Sequence, residues 1–274
     1  MPLVGRAVGV PTGRPYYVLM TADETAILAD VREEAKRLAG VAVSLGLAAR
    51  LIGGLAIWLR CPSVHDGPFA RSYQDMDFAI TSAASTKFKA LLMTQGYLPD
   101  QFFNGLHGAT RLYYGEPQGR WSIDVVINEL VMSHKLDLRD RLDGPAPTIP
   151  LADLLLTKLQ VWEINRKDLG DTACLLADHG LSEDDADIEG ISLPRLRSVL
   201  GKDWGFCHTV DRNAQKVAEL WAQEPVPGAT HDVAAQVNAL RQAIEDAPKS
   251  TAWKLRSRVG ERIRWYETPE EVKH

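Results

Sequence analysis

Three prolines within eight residues, in the stretch DGPAPTIP at positions 143–150, constrain this chain more than any other feature. Proline fixes φ and has no backbone N–H, so neither a regular helix nor an inner sheet strand runs through such a stretch. Before it, short apolar runs alternate with glycine-marked turns. After it, PLADLLLTKLQVWEIN, KDLGDTACLLADHG and everything beyond Pro194 carry helical spacing with few β-branched alternations. The expected fold is α+β, with a small mixed β-sheet and flanking helices over 1–148 and an all-helical half over 149–274.

Within the first half, Ile27, Leu28, Val31, Ala35, Leu38 and Ala42 recur three or four apart in residues 23–45, the stripe of an amphipathic helix with Thr21 or Asp23 as its N-cap. AARLIGG and DMDFAI read as short strands, and LAIWLR as the start of a helix. Residues 85–95 suit a helix closed by Gly96, while ATRLYYG and RWSIDVVIN alternate like strands across the turn GEPQG. CPSVHDGPFARS reads as a loop, and Gly5, Gly9 and Gly13 as a loose or hairpin-like entry. From Ala39 to Leu59 the only charge is Arg50, close to the ~20 residues that a membrane span needs. Four glycines interrupt that stretch, and a central Arg costs roughly 2.5–3.5 kcal/mol to insert. No unbroken apolar signal-peptide run opens the chain. The expectation is a soluble, cytoplasmic protein without a membrane partner.

Composition removes further classes. With 45 % hydrophobic and 24 % charged residues the chain is neither disordered nor collagen-like. Its 31 Lys and Arg against 36 Asp and Glu, a formal charge of −5, exclude a wholly basic nucleic-acid coat. Cys61, Cys174 and Cys207 are odd in number and lack CxxC spacing, which points to reduced thiols and not to a disulfide or zinc framework. No GxxxxGK[ST] motif or HExxH is present, and Ser44 misses the nucleophile elbow because Ala42 stands at the required glycine.

The chemistry concentrates in two short strings, IGG at 52–54 and DMD at 75–77. Residues i and i+2 of a strand share a face, so Asp75 and Asp77 present two carboxylates side by side. Adjacent carboxylates repel one another unless a cation sits between them, and hard oxygen donors of this kind select Mg²⁺ or Mn²⁺. Gly53 and Gly54, ending a strand and opening a helix, let backbone approach an anion such as a triphosphate. A third acid, Asp124 in WSIDVVIN, can join the pair across the sheet, completing the parts list of two-metal phosphoryl or nucleotidyl transfer.

This order of Gly-Gly, a D-x-D strand and a later single Asp resembles the DNA polymerase β-like nucleotidyltransferase superfamily. The resemblance matches Gly53 and Gly54 to the phosphate-binding turn, Asp75 and Asp77 to the metal pair and Asp124 to the third carboxylate, with Arg71 at a position often basic in related sequences. Gly54 stands where many members carry Ser, so it offers only its backbone N–H. TIPLADLLLTKLQVWEINRKDLGD further resembles a block of the branch that holds the AbiEii-type and MenT-type toxin nucleotidyltransferases. There Lys158 would contact nucleotide phosphates, and the following acid falls on Asp168 or Asp171. The resemblance covers roughly residues 45–180. It implies a Mg²⁺-dependent (or Mn²⁺-dependent) enzyme that binds an NTP and moves NMP to an acceptor hydroxyl. The implied acceptor is a tRNA 3′ end, in a toxin–antitoxin setting with an antitoxin protein as partner. The alternative is an aminoglycoside- or lincosamide-like antibiotic, a small molecule. An inactive scaffold that binds a nucleotide or a partner protein is the alternative of another class.

Plainer readings stand beside these. Lys158 also reads as a surface lysine snorkelling from an apolar helix, Asp168 and Asp171 as partners of Arg166 and Lys167 on a helix surface, and Arg71 as a salt-bridge donor. Asp178 to Glu189 holds six acids and no base, a solvated acidic loop that keeps a cationic acceptor open. Lys249 to Arg264 holds six bases against one acid, with Lys254, Arg258 and Arg262 spaced along one helix face beside an apolar stripe of Leu255, Val259 and Ile263. That segment reads as a terminal helix docked on the core, or as a strip that tracks RNA phosphates with Trp253, Trp265 and Tyr266 available for stacking.

Overall fold

A computed structural model describes residues 27–268. Gly5, Gly9 and Gly13, and the candidate caps Thr21 and Asp23, lie outside the described residues. The first helix, α1 (Val31–Ser44), starts later than its apolar stripe suggests: the Asp30 carboxylate accepts the Arg32 amide and caps it. Ile27 and Leu28 precede the helix, and Leu38, Ala39 and Ala42 carry its buried face.

The chain then runs β1 (Ala49–Ile52), α2 (Gly53–Arg60), β2 (Asp75–Ile80), α3 (Ser85–Thr94), β3 (Leu98–Pro99), α4 (Gln101–His107), β4 (Arg111–Gly115), β5 (Ser122–Ile127), β6 (Glu129–Val131) and β7 (Lys135–Asp137). α5 (Leu151–Leu159) and α6 (Arg166–Asp178) follow, then β8 (Leu181–Ser182), β9 (Ile191–Ser192), α7 (Leu193–Leu200), α8 (Trp204–Gln223), α9 (Val233–Asp246) and α10 (Thr251–Val259). The fold is α+β: a mixed five-stranded sheet with flanking helices and a helical C-terminal region, where β8 and β9 add one short parallel pair. The stretch 39–59 is the end of a helix, a strand and a second helix, and no helix among the described residues is long and apolar enough to cross a membrane.

Two compact units form. The first gathers the described residues up to 55 with 72–129 and 137–148; the second gathers 56–71, 130–136 and 149 onward. The first unit is built on the sheet, in the order β1-β2-β5-β4-β3. β2 runs parallel to β5 and antiparallel to β1, while β4 runs antiparallel to both β5 and β3. Met76, Phe78, Ile80, Leu112, Tyr114, Ile123, Val125 and Ile127 fill its buried face. The proline-rich stretch is tied to β1: the Pro147 carbonyl accepts the Leu51 amide at 2.9 Å, Arg50 Nε reaches the Gly144 carbonyl at 3.1 Å, and Thr148 pairs with Leu51 in parallel. Prolines keep their acceptors, so they lie along a strand without continuing the sheet.

The second unit is helical. Every residue of α5 is buried, in keeping with the sequence LADLLLTKL. α6, α7 and α8 pack against it, and α9 packs against α8. The three cysteines are free and buried. The terminal helix departs from the expected amphipath. α10 stops at Val259, and Gly260 turns with φ 59°, so Arg262 lies beyond the helix instead of on its face. Leu255 and Ile263 are exposed, and no residue of α10 is fully buried.

Candidate active site

In the first unit the strand alternation sorts the acids onto one side. Asp77 is the register partner of Asp124 across the parallel β2–β5 pair, and Asp75 shares its face two residues away. Residues between them turn into the core, so the carboxylates are left on the less buried side, with Asp75 exposed. Ile52 is the register partner of Asp77 across β1, and the chain turns at Gly53 directly after it. Gly53 has φ 70°, and a Cβ built there would lie 2.1 Å from Asp77 Oδ2. Only glycine lets the backbone come this close to the carboxylate. Gly53 and Gly54 open α2, whose first amides have no carbonyl a turn earlier and point at whatever lies there.

Asp124 is already engaged. Arg111, on the same face of β4, donates from Nε to Oδ1 at 2.8 Å and to Oδ2 at 3.1 Å, and its Nη2 also reaches Oδ2. The hydrogen bonds to Asp124 raise the guanidinium pKa against the opposing effect of burial, and the negative charges of Asp124 and Asp77 add to the rise. Arg111 is the residue that sequence reasoning missed. Strand alternation puts it on the outward face, but only the β4–β5 register shows that it meets Asp124. Among the described residues no three His, Cys, Asp or Glu side chains stand together as a metal-binding group. Asp75 and Asp77 supply the oxygen donors that suit Mg²⁺ or Mn²⁺, beside a glycine cradle that a Cβ would fill. Asp124 would join them only by leaving Arg111.

The second unit brings together the other four residues singled out in the sequence. Asn165 caps α6 by accepting the Asp168 amide, which fixes the first turn of that helix. Gly170 faces the Phe69 ring, where a Cβ would lie 2.7 Å from a ring carbon, so the loop carrying Arg71 lies directly against α6. Arg71 meets Asp171 at 2.7 Å, while Lys158 Nζ meets Asp168 at 2.6 Å and Asp171 at 2.9 Å. The Asp171 side chain is 1 % exposed and bridges both cations. Burial opposes the charge on Lys158, but Asp171 and Asp168 together outweigh it and carry the ammonium pKa above its ordinary value. The surface readings of these residues are therefore corrected. Lys158 is buried and does not snorkel, because all of α5 is enclosed. Asp168 and Asp171 pair with Lys158, and Arg166 binds Glu224 instead.

No protein-family model matches the sequence, and no curated protein matches it either. Among solved structures the chain is similar to the lincosamide antibiotic adenylyltransferase LnuA in its lincomycin-bound form, at 14 % identity and a TM-score of 0.38, over 53 % of this chain and 96 % of that one. It is also similar to JHP933 from Helicobacter pylori, at 12 % identity and a TM-score of 0.34, over 84 % of this chain and 96 % of that one.

Proposed function

We propose that this chain is a divalent-cation-dependent nucleotidyltransferase that moves a nucleoside monophosphate from an NTP to an acceptor hydroxyl. The observation that supports it is the single face shared by Asp75, Asp77 and Asp124, with Gly53 pressed against the Asp77 carboxylate. Mg²⁺ or Mn²⁺ held by Asp75 and Asp77 would supply charge neutralisation for the triphosphate and a lowered pKa for the acceptor hydroxyl. The amides at Gly53 and Gly54 bind phosphate oxygens. Asp124, released from Arg111, takes the proton of the acceptor hydroxyl as its oxygen attacks the α-phosphorus. The bond from that phosphorus to the bridging oxygen breaks, and pyrophosphate leaves with the electron pair. For Lys158 and Arg71 the proposal is that a nucleotide phosphate replaces Asp168 and Asp171 as their counter-ion.

The acceptor in this reading is a tRNA 3′ end, the activity of a toxin held in check by an antitoxin protein; an aminoglycoside- or lincosamide-like antibiotic is the other acceptor to test. The Arg111–Asp124 pair favours a rival of another class, an inactive scaffold whose third carboxylate is permanently neutralised. Incubation with each α-phosphate-labelled NTP, Mg²⁺ and either total tRNA or the drugs, beside an Asp75→Ala/Asp77→Ala control, separates these. Label on RNA with unmodified protein alone supports the tRNA reading, and label on the drug supports the other acceptor. Absence of both transfer and Mg²⁺-dependent NTP binding refutes the enzyme and leaves the scaffold.

A further inference from the structure

Trp162, Trp265 and Tyr266 form an ordered ladder within the second unit. Trp162 and Tyr266 stack at 4.8 Å with 21° between their planes, and Trp265 meets both edge-on. The Arg212 guanidinium lies 3.9 Å over the Trp162 ring, and the Arg264 guanidinium lies 4.7 Å from the Tyr266 centroid. Both arginines are exposed while the rings are half-buried, so guanidinium groups lying over rings are what this surface presents to solvent. Lys254, Arg258 and Arg262 are exposed as well, and the one acid in this stretch, Glu261, is hydrogen-bonded to His208. In a chain of net charge −5 this is a local reversal of sign.

We infer that this ladder is a binding surface for a single-stranded polynucleotide, and that it receives the RNA acceptor. As a statement about the acceptor it rests on the transfer reading; as a statement about binding it does not. Phosphates account for the exposed bases, and unstacked nucleobases account for the flat guanidinium planes, on which bases stack in single-stranded recognition. Rings that already brace Arg212 and Arg264 reduce the side-chain freedom lost on binding. A duplex hides its base faces and could use only the charge. An anionic membrane needs a continuous apolar face, and the turn at Gly260 takes Ile263 off the helix that carries Leu255.

The test is fluorescence anisotropy on the full chain with a labelled oligonucleotide of about 20 nucleotides, as RNA and as DNA of the same sequence, without NTP or Mg²⁺. Each phosphate contact contributes about 0.7 to the salt slope for a single strand, so Lys254→Ala/Arg258→Ala should flatten the slope by about 1.4, whereas Arg212→Ala/Arg264→Ala removes the two stacking planes and should weaken binding at least about tenfold. Arg212→Lys/Arg264→Lys should keep the slope and still lose affinity, because the charge survives while the plane does not. The RNA and DNA arms tell the two sources of this chemistry apart. Unchanged affinity in both Arg212/Arg264 double variants overturns the inference. So does full retention by the lysine variant, which would leave a charge effect alone. Binding to phosphatidylserine vesicles that Leu255→Ser/Ile263→Ser abolishes, with no oligonucleotide binding, would assign the surface to a membrane instead. Loss of Mg²⁺-dependent NTP binding with intact oligonucleotide binding would sink the transfer reading and spare this one.

Discussion

Replacing Gly53 by alanine tests the geometry at its tightest point. Two separable effects follow from the structure. At φ 70° a residue bearing a Cβ sits in the left-handed region, which costs roughly 1–2 kcal/mol. The new methyl would also stand 2.1 Å from Asp77 Oδ2, far inside van der Waals contact. The half-exposed carboxylate can turn away, so that second effect belongs at the lower end of overpacking costs, about 1 kcal/mol. Gly53→Ala should therefore lose about 2–3 kcal/mol. The measurement is urea denaturation by far-UV circular dichroism, with hydrogen exchange of the β2 and β5 peptides to assign the loss to the first unit. Gly53→Ala introduced into an Asp77→Ala background should cost only the backbone part, about 1–2 kcal/mol, because the clash has gone. Equal costs in the two backgrounds would refute the close approach, and a loss under about 0.5 kcal/mol would refute both effects.

Four further outcomes are expected. Lys158→Met should destabilise the second unit by roughly 3 kcal/mol, since it leaves Asp171 buried with Arg71 alone, and adding Asp171→Asn should recover part of that loss in the same urea titration. Arg111→Gln should free Asp124 and tighten Mn²⁺ binding measured calorimetrically without NTP; weaker binding would mean that the arginine positions the acid instead of competing for it. Burial lowers the His134 pKa from 6.5 to about 4. The unfolded chain therefore binds the extra proton between those values, and the contribution of His134, fully present above pH 6.5, fades as pH falls towards 4. Between pH 7 and 4 the unmodified protein should lose up to about 3 kcal/mol more than His134→Phe does, read from denaturation midpoints. Gly40→Ala, at an exposed site in α1 with nothing near the new methyl, should raise stability by roughly 0.5–1 kcal/mol.

The strands β1, β2 and β5 were legible in the sequence because each is a short apolar run marked off by glycines, charges or a turn, and the shared face of Asp75 and Asp77 follows from alternation alone. The alignment of Asp77 with Asp124 depends on the parallel pairing of two strands distant in the chain, and local pattern carries no register. Arg111 was invisible for the same reason. Lys158 was named from its motif, but its burial depends on helices packing around all of α5, which no spacing within LADLLLTKL reports. The helical period near the C-terminus continued in the sequence through Arg262, and the single glycine that breaks it, Gly260, looked like one more helical residue.

The prolines at 145 and 147 have a consequence for how this protein behaves in a crowded solution. β1 lies at one margin of the sheet, and an apolar run such as ARLI with open hydrogen-bonding groups is a template on which another chain can add a strand. Here the Leu51 amide is already taken by the Pro147 carbonyl, and the covering segment has no N–H at either proline to offer onward. At the other margin β3 is two residues long and includes Pro99. Growth by edge-to-edge pairing is thus blocked on both sides, and intermolecular β-aggregation of the folded protein would first require residues 144–148 to peel away from β1.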